Sequence, residues 1–139
     1  MRFVDTNVLL YAISRDPAER TKADIAAAIL EHADIALSTQ VLQEFYVQAT
    51  RATRADRITH EQASALIESF TRFPVRDVTL RIVRNALATR ERFGLAYWDA
   101  AIIEAARSLG CTEVLSEDLS HGQDYAGVVV IDPFRDGAN

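Results

Sequence analysis

The chain has 139 residues, nearly half of them apolar and a quarter charged, with a net charge of −5. That length suits one domain with a real hydrophobic core, and no run approaches the ~18 apolar residues of a membrane-spanning helix. A lone cysteine, Cys111, excludes an internal disulfide and any cysteine-rich zinc site, and reads as a small core residue.

In chain order, Arg2 to Asp5 reads as a short buried strand, followed by Thr6-Asn7 and a second apolar run, Val8 to Ala12. Asp16-Pro17-Ala18-Glu19 has the Asp, Pro and Glu spacing of a helix start, and the helix to about Ala33 is expected to bury Ile25, Ala28, Ile29 and His32. Ile35 to Leu37 is a second strand, after which Ser38 or Thr39 caps a helix through Thr50. Thr59-His60-Glu61-Gln62 is a capping box that opens a helix with Ala63, Leu66, Ile67 and Phe70 on one stripe. Pro74 stops that helix, and Val75 to Val78 is a third strand. Thr79 caps a helix carrying Ile82, Val83, Ala86 and Leu87, with Gly94 just past its end. Another helix spans roughly Tyr97 to Leu109 and stops at Gly110. Glu113 to Ser116 and Gly127 to Ile131 supply the last strands; "GVVVI" lacks alternation, as expected of a strand covered on both faces. Strands separated by helices predict an α/β sandwich around a mainly parallel sheet, with the ligand site beyond the carboxyl ends of the strands.

The acidic balance disfavours a polyanion partner, but its distribution does not. Tyr46 to Leu95 holds nine arginines against five acids and is +4, while the remainder is −9. A basic middle permits a polyanion-binding face, and arginine suits bidentate phosphate contacts. The N-terminus lacks the pattern of a signal peptide, so a cytoplasmic location is expected.

Four carboxylates are set against their surroundings. Asp5 stands between two segments that both want burial, and Asp99 lies in the apolar helix start "YWDAAIIEAA". Glu44 sits on a polar ridge with Gln40 and Gln48, and Asp118 follows the fourth strand. Each has an ordinary role open to it: Asp5 as a helix cap, Asp99 near a helix dipole, Glu44 on a solvated face, Asp118 in a turn. Jointly they fall at one edge of one sheet. Two carboxylates about 4 Å apart repel by roughly 4 kcal/mol at an effective dielectric near 20, so four ionised together require a cation or protonation at several sites. No His or Cys joins them: His32, His60 and His121 are scattered, and His121 is a candidate only for a contact at the site's edge. Hard oxygen ligands select Mg²⁺ or Mn²⁺, and such sites serve phosphoryl chemistry.

Other phosphoryl and hydrolytic sites lack a residue. Position 7 is Asn where a dehalogenase-type phosphatase needs a second Asp, and Lys22 is the only lysine, far from where a receiver domain needs one. There is no Gly-rich P-loop and no G-x-S-x-G elbow.

"FVDTNVLLY", "QVLQEFY", "YWDAAIIEAA" and "LSEDLSHGQDY", in this order and spacing, resemble the PIN domain, and more narrowly the toxin of a VapBC-type toxin–antitoxin pair. The resemblance covers the whole chain and implies a single PIN domain over residues 1–139, a three-layer sandwich with helices flanking the sheet. It implies an endoribonuclease in which Asp5, Glu44, Asp99 and Asp118 bind Mg²⁺ or Mn²⁺. Asp5 and Asp99 would be direct ligands, Glu44 a ligand or the residue that orients the attacking water, and Asp118 would act through a water or a second ion. Thr6 and Asn7 match positions that steady the Asp5 turn, and Ser116 a hydroxyl position near Asp118. Asp124 competes for the fourth acidic position; Asp118 is preferred because it directly follows the strand. The implied partners are an RNA substrate, a cognate antitoxin and a second copy of the chain in a homodimer, with no membrane. Arg51, Arg54 and Arg57 of "RATRADR" are open to RNA phosphates, to acidic antitoxin residues or to solvent alone. Two further readings stand beside the toxin: a PIN nuclease of RNA processing or branched DNA, and a non-catalytic PIN-like module that binds RNA or protein.

Overall fold

In the computed structural model, which describes residues 1–135, the first strand, β1, is Arg2–Val4. Phe3 and Val4 are fully buried, and Asp5 ends the strand by becoming the N-cap of α1 (Thr6–Ala12). Val8 and Leu9 return at once to the core, so Asp5 is pinned from both sides. Asp16 caps a single 3-10 turn, Pro17–Glu19, by accepting from the Ala18 N–H at 2.9 Å. Glu19 accepts from the Ser14 hydroxyl at 2.6 Å, and α2 (Arg20–Glu31) follows. Its inward stripe runs through Ile25, Ala26, Ile29 and Leu30, so Ala28 and His32, expected inside, are exposed.

After β2 (Ile35–Ser38), the Ser38 hydroxyl caps α3 (Thr39–Ala49), the helix that carries Glu44. Thr59 and Gln62 form the full capping box of α4 (His60–Phe70). The third strand, β3, is only Val75–Arg76, shorter than expected, because the Val78 N–H turns to donate to Thr39 Oγ1 at 3.2 Å. Thr79 caps α5 (Leu80–Phe93), and Gly94 ends it at φ +69°, a conformation that favours glycine. Ile82, Ala86 and Thr89 face inward there, which leaves Leu87 54% exposed rather than in the core. α6 (Tyr97–Ser108) is buried from Ala100 to Ala106 and leads to β4 (Glu113–Leu115) and β5 (Val129–Ile131).

The sheet order is β3-β2-β1-β4-β5, and neighbouring strands pair in parallel throughout. The chain moves outward from β1 through β2 to β3, then crosses back to place β4 on the other side of β1. That reversal opens a crevice at the carboxyl ends of β1 and β4, where open α/β sheets bind ligands. α6 packs on β2 and β4 and against α5, while α1 packs on α2 and α3, giving helices around a parallel sheet as the sequence predicts. β5 lies at the sheet edge: Val130 is buried, but Val129 and Ile131 are partly open, so the strand is not covered on both faces. Cys111 is buried and its thiol is pushed up by that burial, as befits a core residue. Among the described residues no helix is long and apolar enough to cross a membrane.

Candidate active site

Asp5, Glu44, Asp99 and Asp118 come from four separate segments and line one small cavity at the β1/β4 crevice, with Thr6, Asn7, Gln40, Gln48 and Trp98 among its walls. Asp5 reaches it as the N-cap of α1, Glu44 from the second turn of α3, Asp99 from the first turn of α6, and Asp118 from the turn after β4. Exposure grades outward. Asp5 is buried, Glu44 and Asp99 are half-buried, and Asp118 is exposed.

A hydrogen-bond network fixes the inner acids. The Thr6 N–H donates to Asp5 Oδ1 at 2.7 Å, and the Ser116 hydroxyl donates to Asp5 Oδ2 at 2.8 Å. Ser116 Oγ in turn accepts from Asn7 Nδ2 at 3.2 Å and from the Asp118 N–H at 3.1 Å. Asn7 Nδ2 also reaches Asp118 Oδ2 at 3.2 Å, and Asn7 Oδ1 accepts from the Glu117 N–H at 3.2 Å. Asn7 and Ser116 thus join the end of β1 to the turn after β4. On the facing side, Gln40 Nε2 donates to Glu44 Oε1 at 2.8 Å and to the Trp98 carbonyl at 3.2 Å, joining α3 to α6. The polar ridge of Gln40, Glu44 and Gln48, which the spacing put on one side of the helix, lines the cavity.

The electrostatics reflect crowded negative charge. Burial raises the Asp5 carboxyl to about 6, the hydrogen bonds from Ser116 and Thr6 oppose that rise, and the charges of Glu44 and Asp118 add to it. Asp99 is also raised, first by burial and then by the charge of Asp118. Thr6 Oγ1 is a buried polar atom of the cavity wall without a hydrogen-bond partner among the described residues. Oxygen donors that are partly desolvated and held close to like charge fit a hard divalent cation. Among the described residues, however, no three His, Cys, Asp or Glu side chains are gathered tightly enough to form a closed ion cage. Both Asp5 oxygens are engaged by Thr6 and Ser116, and Gln40 holds Glu44. The set is open rather than preformed.

Asp124 does not reach this cavity. It is exposed, and its Oδ1 accepts from the Gly127 N–H at 2.7 Å in the turn before β5. The histidines are elsewhere too: His121 Nδ1 accepts from the Asp132 N–H at 3.0 Å, His60 meets the Tyr46 hydroxyl at 2.8 Å, and His32 lies exposed just after α2. Two features beside the acids had no assignment in the sequence, and a third, Arg54, is one the sequence leaves open to RNA phosphates, antitoxin residues or solvent. Glu117 pairs with Lys22 and accepts from the Tyr11 hydroxyl, so the chain's only lysine neutralises the acid next to Asp118. Trp98, the only tryptophan, is 66% exposed beside the cavity. Arg54 lines an adjoining cavity. The singularity of Lys22 and Trp98 was the available signal, but nothing in the spacing located them.

A family model described as PIN domain matches residues 2–123. No curated protein matches the chain. Among solved structures, a toxin–antitoxin complex from Klebsiella pneumoniae is similar at TM-score 0.70 and 21% identity, over 96% of this chain and 98% of that one. VapC20 of Mycobacterium tuberculosis, described as a Sarcin-Ricin loop cleaving toxin, is similar at TM-score 0.65 and 18% identity, over 85% and 92%. A DNA-bound VapBC from Salmonella typhimurium is similar at TM-score 0.64 and 20% identity, over 95% and 97%.

Proposed function

The chain belongs to the PIN-domain family, and from that premise we propose that it is a Mg²⁺- or Mn²⁺-dependent endoribonuclease, the toxin of a VapBC-type pair. We read it as a single PIN domain that works in the cytoplasm as a homodimer and is held inactive by a cognate antitoxin. The observation that carries the catalytic reading is the convergence of Asp5, Glu44, Asp99 and Asp118 from four segments on one cavity at the sheet's switch point. The toxin–antitoxin complexes among the structural neighbours support the partner.

Asp5 and Asp99 would hold the ion, with Glu44 and Asp118 completing the donor set. Bound there, the ion supplies charge neutralisation and Lewis-acid polarisation of the phosphodiester. The protein's own groups set the rest. Ser116 and Asn7 hold Asp5 and Asp118 in register across β1 and β4. Gln40 fixes Glu44 by Oε1, which leaves Oε2 to orient the attacking water and accept its proton. In-line attack at phosphorus then breaks the bond to the leaving ribose oxygen.

The test is cleavage of a panel of structured and single-stranded RNAs, with and without divalent metal, by wild type, Asp5→Ala and Asp99→Ala. Metal-dependent cleavage lost in both variants is expected. Cleavage that survives EDTA or either substitution sinks the reading. The toxin role is tested separately by expression in a bacterial host, where growth arrest relieved by the product of an adjacent reading frame is expected.

A further inference from the structure

Trp98 is an anomaly of burial. An indole carries a large apolar surface whose exposure to water is unfavourable, yet this one is 66% exposed at the second position of α6. Its carbonyl accepts from Gln40 Nε2 at 3.2 Å, and its ring meets that of Tyr97 edge-on at a centroid distance of 5.1 Å. It stands on the wall of the acid cavity, next to Asp99.

A second observation lies at the other end of the same depression. The acid cavity, about 80 Å³, shares Asn7, Leu10, Gln48 and Asp118 with a neighbouring cavity of about 220 Å³, so the two form one groove. Trp98 belongs to the first end and Arg54 to the second. Among the described residues lining the groove, Arg54 is the only cation. Its Nε lies 3.0 Å from Asp56 Oδ1, an acid also held by the Arg15 backbone N–H at 2.9 Å. The contact is an ion pair without a hydrogen bond at the buried Nε, and the two terminal nitrogens make no hydrogen bond among the described residues either.

We propose that this groove binds one unpaired strand of RNA, with a base stacked on Trp98 at one side of the acids and a flanking phosphate held by Arg54 at the other. The inference rests on the nuclease reading for the identity of the strand and adds the two residues that position it. An exposed aromatic supplies a sequence-tolerant stacking face, and arginine supplies paired donors for phosphate oxygens. Neither residue touches the reacting phosphorus; both are positioning residues. A base can reach the indole only when it is free of its pairing partner, so a duplex leaves Trp98 uncovered.

Because Trp98 is the only tryptophan, its emission reports on its own face. The experiment titrates the full-length protein, in Mg²⁺, with a short oligoribonucleotide that cannot self-pair and with the same strand annealed to its complement. Emission is read before cleavage proceeds, and KM and kcat are read afterwards. Saturable quenching by the unpaired strand and none by the duplex are expected. Trp98→Ala should raise KM roughly tenfold with kcat little changed, and Trp98→Phe should recover most of that loss. Arg54→Gln should weaken binding several-fold and flatten its salt dependence while quenching persists at saturation. Equal quenching by duplex, or an unchanged KM in both Trp98→Ala and Arg54→Gln, overturns the proposal even if cleavage by wild type stands. An emission change that follows protein concentration, with RNA silent, assigns Trp98 to a second copy of the chain and also overturns it. Quenching without metal-dependent cleavage upholds the groove and removes the nuclease instead.

Discussion

At the residue scale the fold stores unfavourable charge in Asp5. Its carboxyl is raised from an ordinary 3.8 to about 6, so the folded state holds a proton that the unfolded chain releases earlier. A raised acid costs nothing below about pH 4, and its penalty grows as pH rises to about 6, reaching roughly 3 kcal/mol for a shift of that size. In EDTA, Asp5→Asn is therefore expected to be more stable than wild type at pH 7.5 and to lose that advantage at pH 4, as read by thermal unfolding. Added Mg²⁺ should raise the wild-type melting temperature more at pH 7.5 than at pH 5, and should not raise that of Asp5→Asn. Ser116 acts oppositely. It is wholly buried, and its hydroxyl serves Asp5, Asn7 and the Asp118 N–H at once. Ser116→Ala strands those groups, with an expected cost of about 1–3 kcal/mol and a marked fall in cleavage.

At the element scale, the site depends on how helix starts meet strand ends. Ser38 caps α3 and sets the turn on which Glu44 stands, and Gln40 ties that turn to the first turn of α6. Gln40→Met keeps the buried volume but frees Glu44, so kcat should fall roughly tenfold with little change in melting temperature. The capping box of α4 is remote from the acids, and Thr59→Ala should cost about 1 kcal/mol of stability while leaving cleavage unaltered. These starts were legible because capping chemistry is local: Asp16, Ser38, Thr59 and Thr79 each act within a few residues. Which face a helix buries was less legible. Ala28 and Leu87 sit one position away from the buried stripes, and only tertiary packing separates such neighbours.

At the scale of the whole molecule, the candidate site was visible as a set of misfits. Asp5 and Asp99 stood out because each interrupts an apolar stretch, and the alternation of strand and helix was enough to bring them with Glu44 and Asp118 to one edge. The basic middle segment proved less simple than its charge. Arg72 lies over Phe73, Arg76 reaches the Ser108 carbonyl, Arg92 lies over Phe93, and among the nine only Arg54 lines the acid groove. Charge counts along a sequence do not locate the side chains in space. With few phosphate contacts, the salt dependence of KM should be shallow, with a log–log slope of roughly 0.7 for each phosphate neutralised. Trp98 and the Lys22–Glu117–Tyr11 cluster were not legible, since an exposed aromatic and a buried one look alike in sequence.

The central claim is that four carboxylates from distant parts of the chain form one divalent-ion site. Titration of Mn²⁺ into the protein at pH 7.5, following the electron paramagnetic resonance signal of the free ion, tests it most directly. The account predicts saturable binding that is lost in Asp5→Asn and Asp99→Asn, weakened in Glu44→Gln and Asp118→Asn, and unchanged in Asp124→Asn. Binding that persists undiminished in Asp5→Asn and Asp99→Asn, or that disappears in Asp124→Asn alone, would contradict it.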